Sequence, residues 1–118
     1  MEIGARKVKI TVVKKLNAKE ILDEELQQIS PDIVKNEPEC PLFKVGDQFI
    51  VEGPGEMPKD FPCAWAFRDI YKEIVHLGYG GSFPWVPASD AVLACCTDGL
   101  RPVLFKIEAE GPIYKEKE

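Results

Sequence analysis

Residues 60–85 limit what this chain can fold into more than any other stretch. Ala64, Phe67, Ile70, Tyr71, Ile74 and Leu77 recur at three- and four-residue spacing, while Arg68, Asp69, Lys72, Glu73 and His76 fall on the other side. Apolar residues at that period predict a helix with one face in a core and the other in water. Asp60 or Phe61 can cap its start, Pro62 is tolerated in a first turn, and Gly78 supplies a left-handed stop. Strand-like segments lie on either side, so the helix is expected to pack on a sheet.

Cys63 then falls in the first turn. Unpaired N–H groups and the helix dipole favour negative charge there, which makes a thiolate nucleophile or metal ligand easier to form. The same stretch holds both tryptophans, Trp65 and Trp85, and the only histidine. Trp65 and Trp85 are candidate walls of a ligand pocket, with core packing as the plainer alternative. His76 lies with Lys72 and Glu73 on the polar face and is expected at the surface, and Asp69 is expected to pair with Lys72. The run from Gly78 to Ser82 follows a helix instead of joining a strand to one, so it reads as a stop and turn, not a phosphate loop.

Upstream, Arg6-Lys7-Val8-Lys9-Ile10-Thr11-Val12-Val13 alternates with period two, a half-buried strand with its lysines on the wet face. Asn17-Ala18-Lys19-Glu20 resembles a capping box, and Ile21, Leu22, Leu26 and Ile29 form the apolar stripe of a second helix ending near Ser30-Pro31. Residues 32–39 read as a connecting loop. Lys44-Val45-Gly46-Asp47 is a turn into a short strand, Gln48-Phe49-Ile50-Val51-Glu52, which Gly53-Pro54-Gly55 stops. Downstream, Ala91-Val92-Leu93-Ala94-Cys95-Cys96 is apolar on both faces and suits a central strand. The Asp98-Gly99 turn and renewed alternation through Val103, Phe105 and Ile107 complete a hairpin. Residues 112–118 are expected to fray.

The expected fold is a single α+β domain over residues 1–118, with a largely antiparallel sheet of about four strands and two main helices. The length suffices to bury roughly two-thirds of the unfolded surface. Fifteen basic against 20 acidic residues leave a net charge of −5, which opposes binding to nucleic acid or anionic membranes and leaves a small molecule or a protein as partner. Residues 1–6 lack the apolar core of a signal peptide, and the longest apolar run is far too short to span a bilayer, so a cytoplasmic location is expected. In that compartment four cysteines argue against a disulfide framework and leave packed thiols, a metal site or redox chemistry.

Cys40, then Val45-Gly46-Asp47-Gln48-Phe49, Pro62-Cys63-Ala64-Trp65, Gly80-Gly81-Ser82-Phe83-Pro84-Trp85, and the run from Cys96 through Thr97-Asp98-Gly99-Leu100-Arg101-Pro102-Val103 occur in that order. As a combination over residues 40–107, they resemble a small family of uncharacterised prokaryotic proteins common in anaerobes, with no established activity to carry over. The resemblance implies that Cys40, Cys63 and Cys96 match recurring cysteines and that Cys95 is an extra. Thr97 stands where the family often has proline, and Phe43 where it often has histidine. Were that histidine a metal ligand, its absence would weaken a metal site in this chain.

Thiolates from Cys40, Cys63 and Cys96 could bind zinc or an iron-sulfur cluster. There is no Cys-x-x-Cys pair, however, and neighbours on a strand point to opposite faces, so Cys95 and Cys96 do not readily serve one site. Asp98 is most simply a turn residue, with a polar role beside Cys96 as the sharper reading. Two functions follow. In the first, Cys63 is the reactive group of a small-molecule, metal or redox thiol pocket lined by Cys40, Cys96, Trp65, Trp85 and Asp98; catalysis and simple binding both fit it, so enzymatic activity stays open. The second is a non-catalytic interaction or accessory domain whose cysteines only pack and whose surface meets a protein partner.

Overall fold

The alternation that begins at Arg6 becomes strand β1 (Ala5–Lys15) in the computed structural model, which describes residues 5–53 and 55–114. The other strands are β2 (Gln48–Val51), β3 (Ala91–Cys95) and β4 (Val103–Tyr114). All pairs are antiparallel, in the order β2-β1-β4-β3. Val8, Ile10 and Val12 of β1 and Val103, Phe105 and Ile107 of β4 are buried on one face of this sheet. The other face carries Lys9, Lys106 and Glu108; Glu108 pairs with Lys9 across the strands and with Lys106 along β4. The domain is therefore α+β, as the alternation predicts.

The helices are α1 (Ala18–Ile21), α2 (Glu24–Gln27), α3 (Pro31–Asn36) and α4 (Ala64–Gly78). Three short helices thus replace the single one expected after Asn17. Asn17 does cap α1, accepting the Lys19 N–H at 2.9 Å, but Leu22 is extended. The Asp23 carboxylate then accepts the Leu26 N–H at 2.9 Å and starts a new helix, the local competition that short polar side chains offer. Pro31 sits in the first turn of α3, where a loop is expected from the sequence. Of the proposed apolar stripe, Ile21, Leu26 and Ile29 are all exposed, and Ala18 and Val34 are the buried residues of this region. The stripe makes no core because no helix in this region is long enough to hold one face against the sheet.

Helix α4 lies on the apolar face of the sheet, burying Ala66, Phe67, Ile70, Ile74 and Leu77. Ala64 and Tyr71, at the margins of the expected stripe, are exposed. The cap is Cys63, not Asp60 or Phe61 as expected; Phe61 instead turns into the core against Phe67 at 5.7 Å. The stop moves by two residues. Gly78 remains helical and faces β1, where an added Cβ would lie 3.5 Å from Val8. The Gly80 N–H donates to Leu77 O at 3.0 Å and the Gly81 N–H to His76 O at 2.8 Å. With Gly80 at φ 90°, this is a Schellman ending that only glycine adopts without strain.

Two further expectations change. The apolar run at Ala91 forms an edge strand, not a central one: Val92 is buried, but Leu93 is 62% exposed because no strand or helix among the described residues covers that face. β4 continues to Tyr114, opposite Ala5, so the ladder reaches into the stretch expected to fray. Residues 1–4, Pro54 of the expected strand stop, and residues 115–118 of the tail lie outside the described residues.

Glu73 is the one charged side chain that α4 turns inward, against the expectation that it shares the wet face. One carboxylate oxygen pairs with Lys72 and the other, Oε1, is buried without a partner. A desolvated, half-satisfied carboxylate is destabilising relative to an apolar side chain of similar size. Glu73→Met should therefore raise stability by about 1–2 kcal/mol, seen as a higher urea midpoint at unchanged slope. A lower midpoint would show that Glu73 has a partner in solution.

Candidate functional site

Three separate segments deliver three cysteines to one place. The Cys63 Sγ caps α4 by accepting the Ala66 N–H at 3.4 Å. Cys96 directly follows β3; its N–H donates to Val103 O at 3.1 Å and its Sγ accepts the Val103 N–H at 3.3 Å, which closes the neck of the hairpin. Cys40 lies in the loop between α3 and β2. Glu39 before it is held by the Asn17 amide at 3.2 Å, and Phe43 after it is buried against Phe105, with ring centres 5.2 Å apart.

All three cysteines line a cleft of about 440 Å3. Its apolar lining comes from Leu42, Phe43 and Ala66, and its polar lining from Thr97, Asp98 and Arg101, with Trp65 beside them. Each of the three thiols is half-buried, so each is part of the packed structure and still reachable.

The cleft is tied together by bonds between α4 and the β3–β4 hairpin. The Trp65 indole N–H donates to Thr97 Oγ1 at 2.8 Å, and Thr97 donates both its O–H and its N–H to Asp69 Oδ2, at 2.9 and 2.8 Å. Asp69 thus bonds to Thr97, not to Lys72 as expected; Lys72 pairs with Glu73. Asp98 is the turn residue the sequence suggests: Oδ1 accepts the N–H groups of Leu100 and Arg101 at 2.9 and 3.2 Å. Its Oδ2 accepts Arg101 Nε–H at 3.3 Å, and Arg101 reaches on to Glu37 at 2.9 Å.

Of the residues singled out from sequence, Cys40, Cys63, Cys96, Trp65 and Asp98 come together, and Trp85 does not. Trp85 is 74% exposed and lies with Leu93 and Lys106 along a separate groove of about 390 Å3 beside β3. The turn at Gly80 carries it away from α4; Phe83 packs between it and His76, tilted against both, with ring centres 5.3 and 4.7 Å apart. His76 is exposed, as expected, and its Nε2 donates to Ser82 O at 2.8 Å. Among the described residues, no three His, Cys, Asp or Glu side chains are grouped so as to hold a metal ion. The cysteines share a cleft without closing on a common point.

Cys95 is exposed, and its Sγ–H donates to Cys96 O at 3.2 Å. Partial burial, then Cys96, then Asp69 push its thiol above the usual 9.0. A raised value leaves less thiolate at neutral pH, so Cys95 should alkylate slowly at pH 7 despite its exposure, with a pH–rate midpoint above 9.0. A midpoint below that value would mean that burial and the two neighbouring groups do not govern this thiol.

Phe43, Asp69, Thr97 and Arg101 are site residues that sequence reasoning passed over. Trp65 and Asp69 do lie four apart on one helix face, a spacing that allows them to share a partner. That the partner is Thr97, 28 residues on from Asp69, is fixed only by the packing of the hairpin on α4. Compared with protein-family models, curated proteins and solved structures, the chain matches none.

Proposed function

We propose that this is a small-molecule thiol protein in which Cys63 is the reactive group and Cys40, Cys96, Trp65 and Asp98 shape the cleft around it. The observation that carries the reading is the convergence of three cysteines from three distant segments on one cleft, each half-buried instead of packed away. Cys63 is favoured among them because it caps a 15-residue helix, its sulfur accepting the Ala66 N–H at the positive end of the helix dipole. Zinc or an iron-sulfur cluster has less support, since the sulfurs do not form a ligand group. A cytoplasmic location belongs to the same reading, because half-buried thiols stay reduced there. Among the described residues no helix is long and apolar enough to cross a membrane.

Cys63→Ser tests the assignment. The native protein should form a fast, stoichiometric adduct with iodoacetamide, and the variant should lose it while keeping the fold intact. An adduct formed as fast in the variant would reject Cys63 as the reactive group.

The exposed pair Trp85 and Leu93 along the edge strand favours a second reading, an interaction module. It does not compete for the same residues, and loss of a partner in Trp85→Ser with Cys63 chemistry unchanged would separate the two.

A further inference from the structure

The occupant of the cleft is narrowed by Trp65. This ring is 61% exposed, yet it is held at one angle by the bond to Thr97 and by the Arg68 guanidinium 5.5 Å from its centre. Every group in the tether acts in a sense its chemistry permits: the indole donates, the hydroxyl accepts and donates, the carboxylate accepts. A large apolar ring fixed open to solvent is a preorganised stacking surface, because a ligand that lies on it needs no further ordering of the wall. Trp65 stands two residues after Cys63, and Thr97 directly follows Cys96, so the tether also holds the two sulfurs in place around the ring. Both charged side chains that line the cleft, Asp98 and Arg101, are bonded to each other, and Arg101 also to Glu37, so the lining itself offers no unpaired charge, and Arg68, which is not part of it, lies against the Trp65 ring.

We infer that the cleft takes a flat, uncharged conjugated carbonyl compound, of the quinone or enone class, which stacks on Trp65 and is attacked by Cys63 Sγ. The inference rests on the reading of Cys63 as the reactive thiol. The thiol gives its proton to water, and the sulfur lone pair forms a C–S bond at the carbon β to the carbonyl. The C=C π pair moves toward the carbonyl oxygen, and the enolate so formed takes a proton from water. No oxidant or reductant is required, and the product is a thioether.

N-Phenylmaleimide and N-methylmaleimide share one electrophilic ring and differ in a flat substituent. The rate of each at Cys63 is resolved by mass mapping and divided by the same reagent's rate with N-acetylcysteine, with Cys95 as an internal reference thiol. The corrected preference for the phenyl reagent should be about tenfold, the equivalent of about 1.4 kcal/mol. It should fall to about one in Trp65→Leu, weaken by roughly fivefold in Thr97→Val, where the indole loses its acceptor and Asp69 loses the Thr97 O–H, and persist in Trp85→Leu. A corrected ratio near one in the native protein, or a preference that survives Trp65→Leu, overturns the inference. If Cys63 nevertheless outpaces Cys95, the thiol reading stands without this ligand class. If Cys63 reacts ahead of Cys95 with neither maleimide, the thiol reading falls and takes the inference with it.

Discussion

Phe43→Ala should destabilise the protein by about 3–5 kcal/mol, the largest effect expected from any substitution in the cleft. Phe43 is 1% exposed and meets three other rings: Phe105 edge-on at 5.2 Å, Phe49 edge-on at 6.2 Å, and Phe61 tilted at 5.4 Å. Truncation removes the buried ring and leaves a void that β2 and β4 cannot close without breaking their ladders with β1. Domains of this size are stable by only about 5–15 kcal/mol, so the variant should lie close to unfolding at room temperature. Because Phe43 also lines the cleft, the loss should loosen Cys40 three residues away. Urea denaturation gives the answer, and a loss below about 1.5 kcal/mol would mean that the aromatic cluster is not packed as described.

Asp69→Leu is expected to have the second largest effect, a loss of about 2 kcal/mol. Asp69 Oδ2 accepts both the N–H and the O–H of Thr97, and hydrogen bonds to a charged acceptor contribute about 1.5–3 kcal/mol each when buried, less at a half-exposed site such as this. Leucine also leaves the Thr97 N–H without its partner. Freed from its tether, the Trp65 ring should become more mobile and its emission should move to longer wavelength. The measurement is made with Trp85→Phe in the background so that Trp65 is the only tryptophan emitter. Asp69→Asn keeps an acceptor oxygen and should fall between Leu and the native residue. Native stability and unchanged emission in Asp69→Leu would show that the hairpin is held to α4 by packing alone.

The parts of this fold that are legible in the sequence are those with local periodicity. β1 and α4 each repeat one pattern over two or more turns or pairs, and the Asp98-Gly99 turn marks its hairpin; all three form close to where the pattern places them. The helical stretch after Asn17 also shows a pattern, but Asp23 competes for the backbone there, and the outcome depends on a single side chain. β3 reads as central because its residues are apolar on both faces. A five-residue run of small and apolar side chains does not encode which strand it will sit beside. Phe43 and Phe61 stand alone in loops with no period to announce them, yet both are buried in the core.

The site divides along the same line. Cys63 near a helix start is a local fact and legible from position, although the thiol turns out to be the cap itself. That Cys40 and Cys96 join it does not follow from spacing. Thr97 and Asp69, which set the angle of Trp65, come together only once the hairpin lies against α4. In sequence Trp85 is equivalent to Trp65, both being large and near the helix; the glycine turn at Gly80 sends it to another surface.

The most direct test of the thiol cleft is the alkylation rate of each of the four cysteines in the native protein, resolved by mass mapping at pH 7 under reducing, oxygen-free conditions. Cys63 should react first, its adduct should slow Cys40 and Cys96 because all three open into one cleft, and Cys95 should be unaffected by it. Four rates that do not influence one another, with Cys63 no faster than Cys95, would contradict a shared thiol site and leave three cysteines that merely pack beside the core.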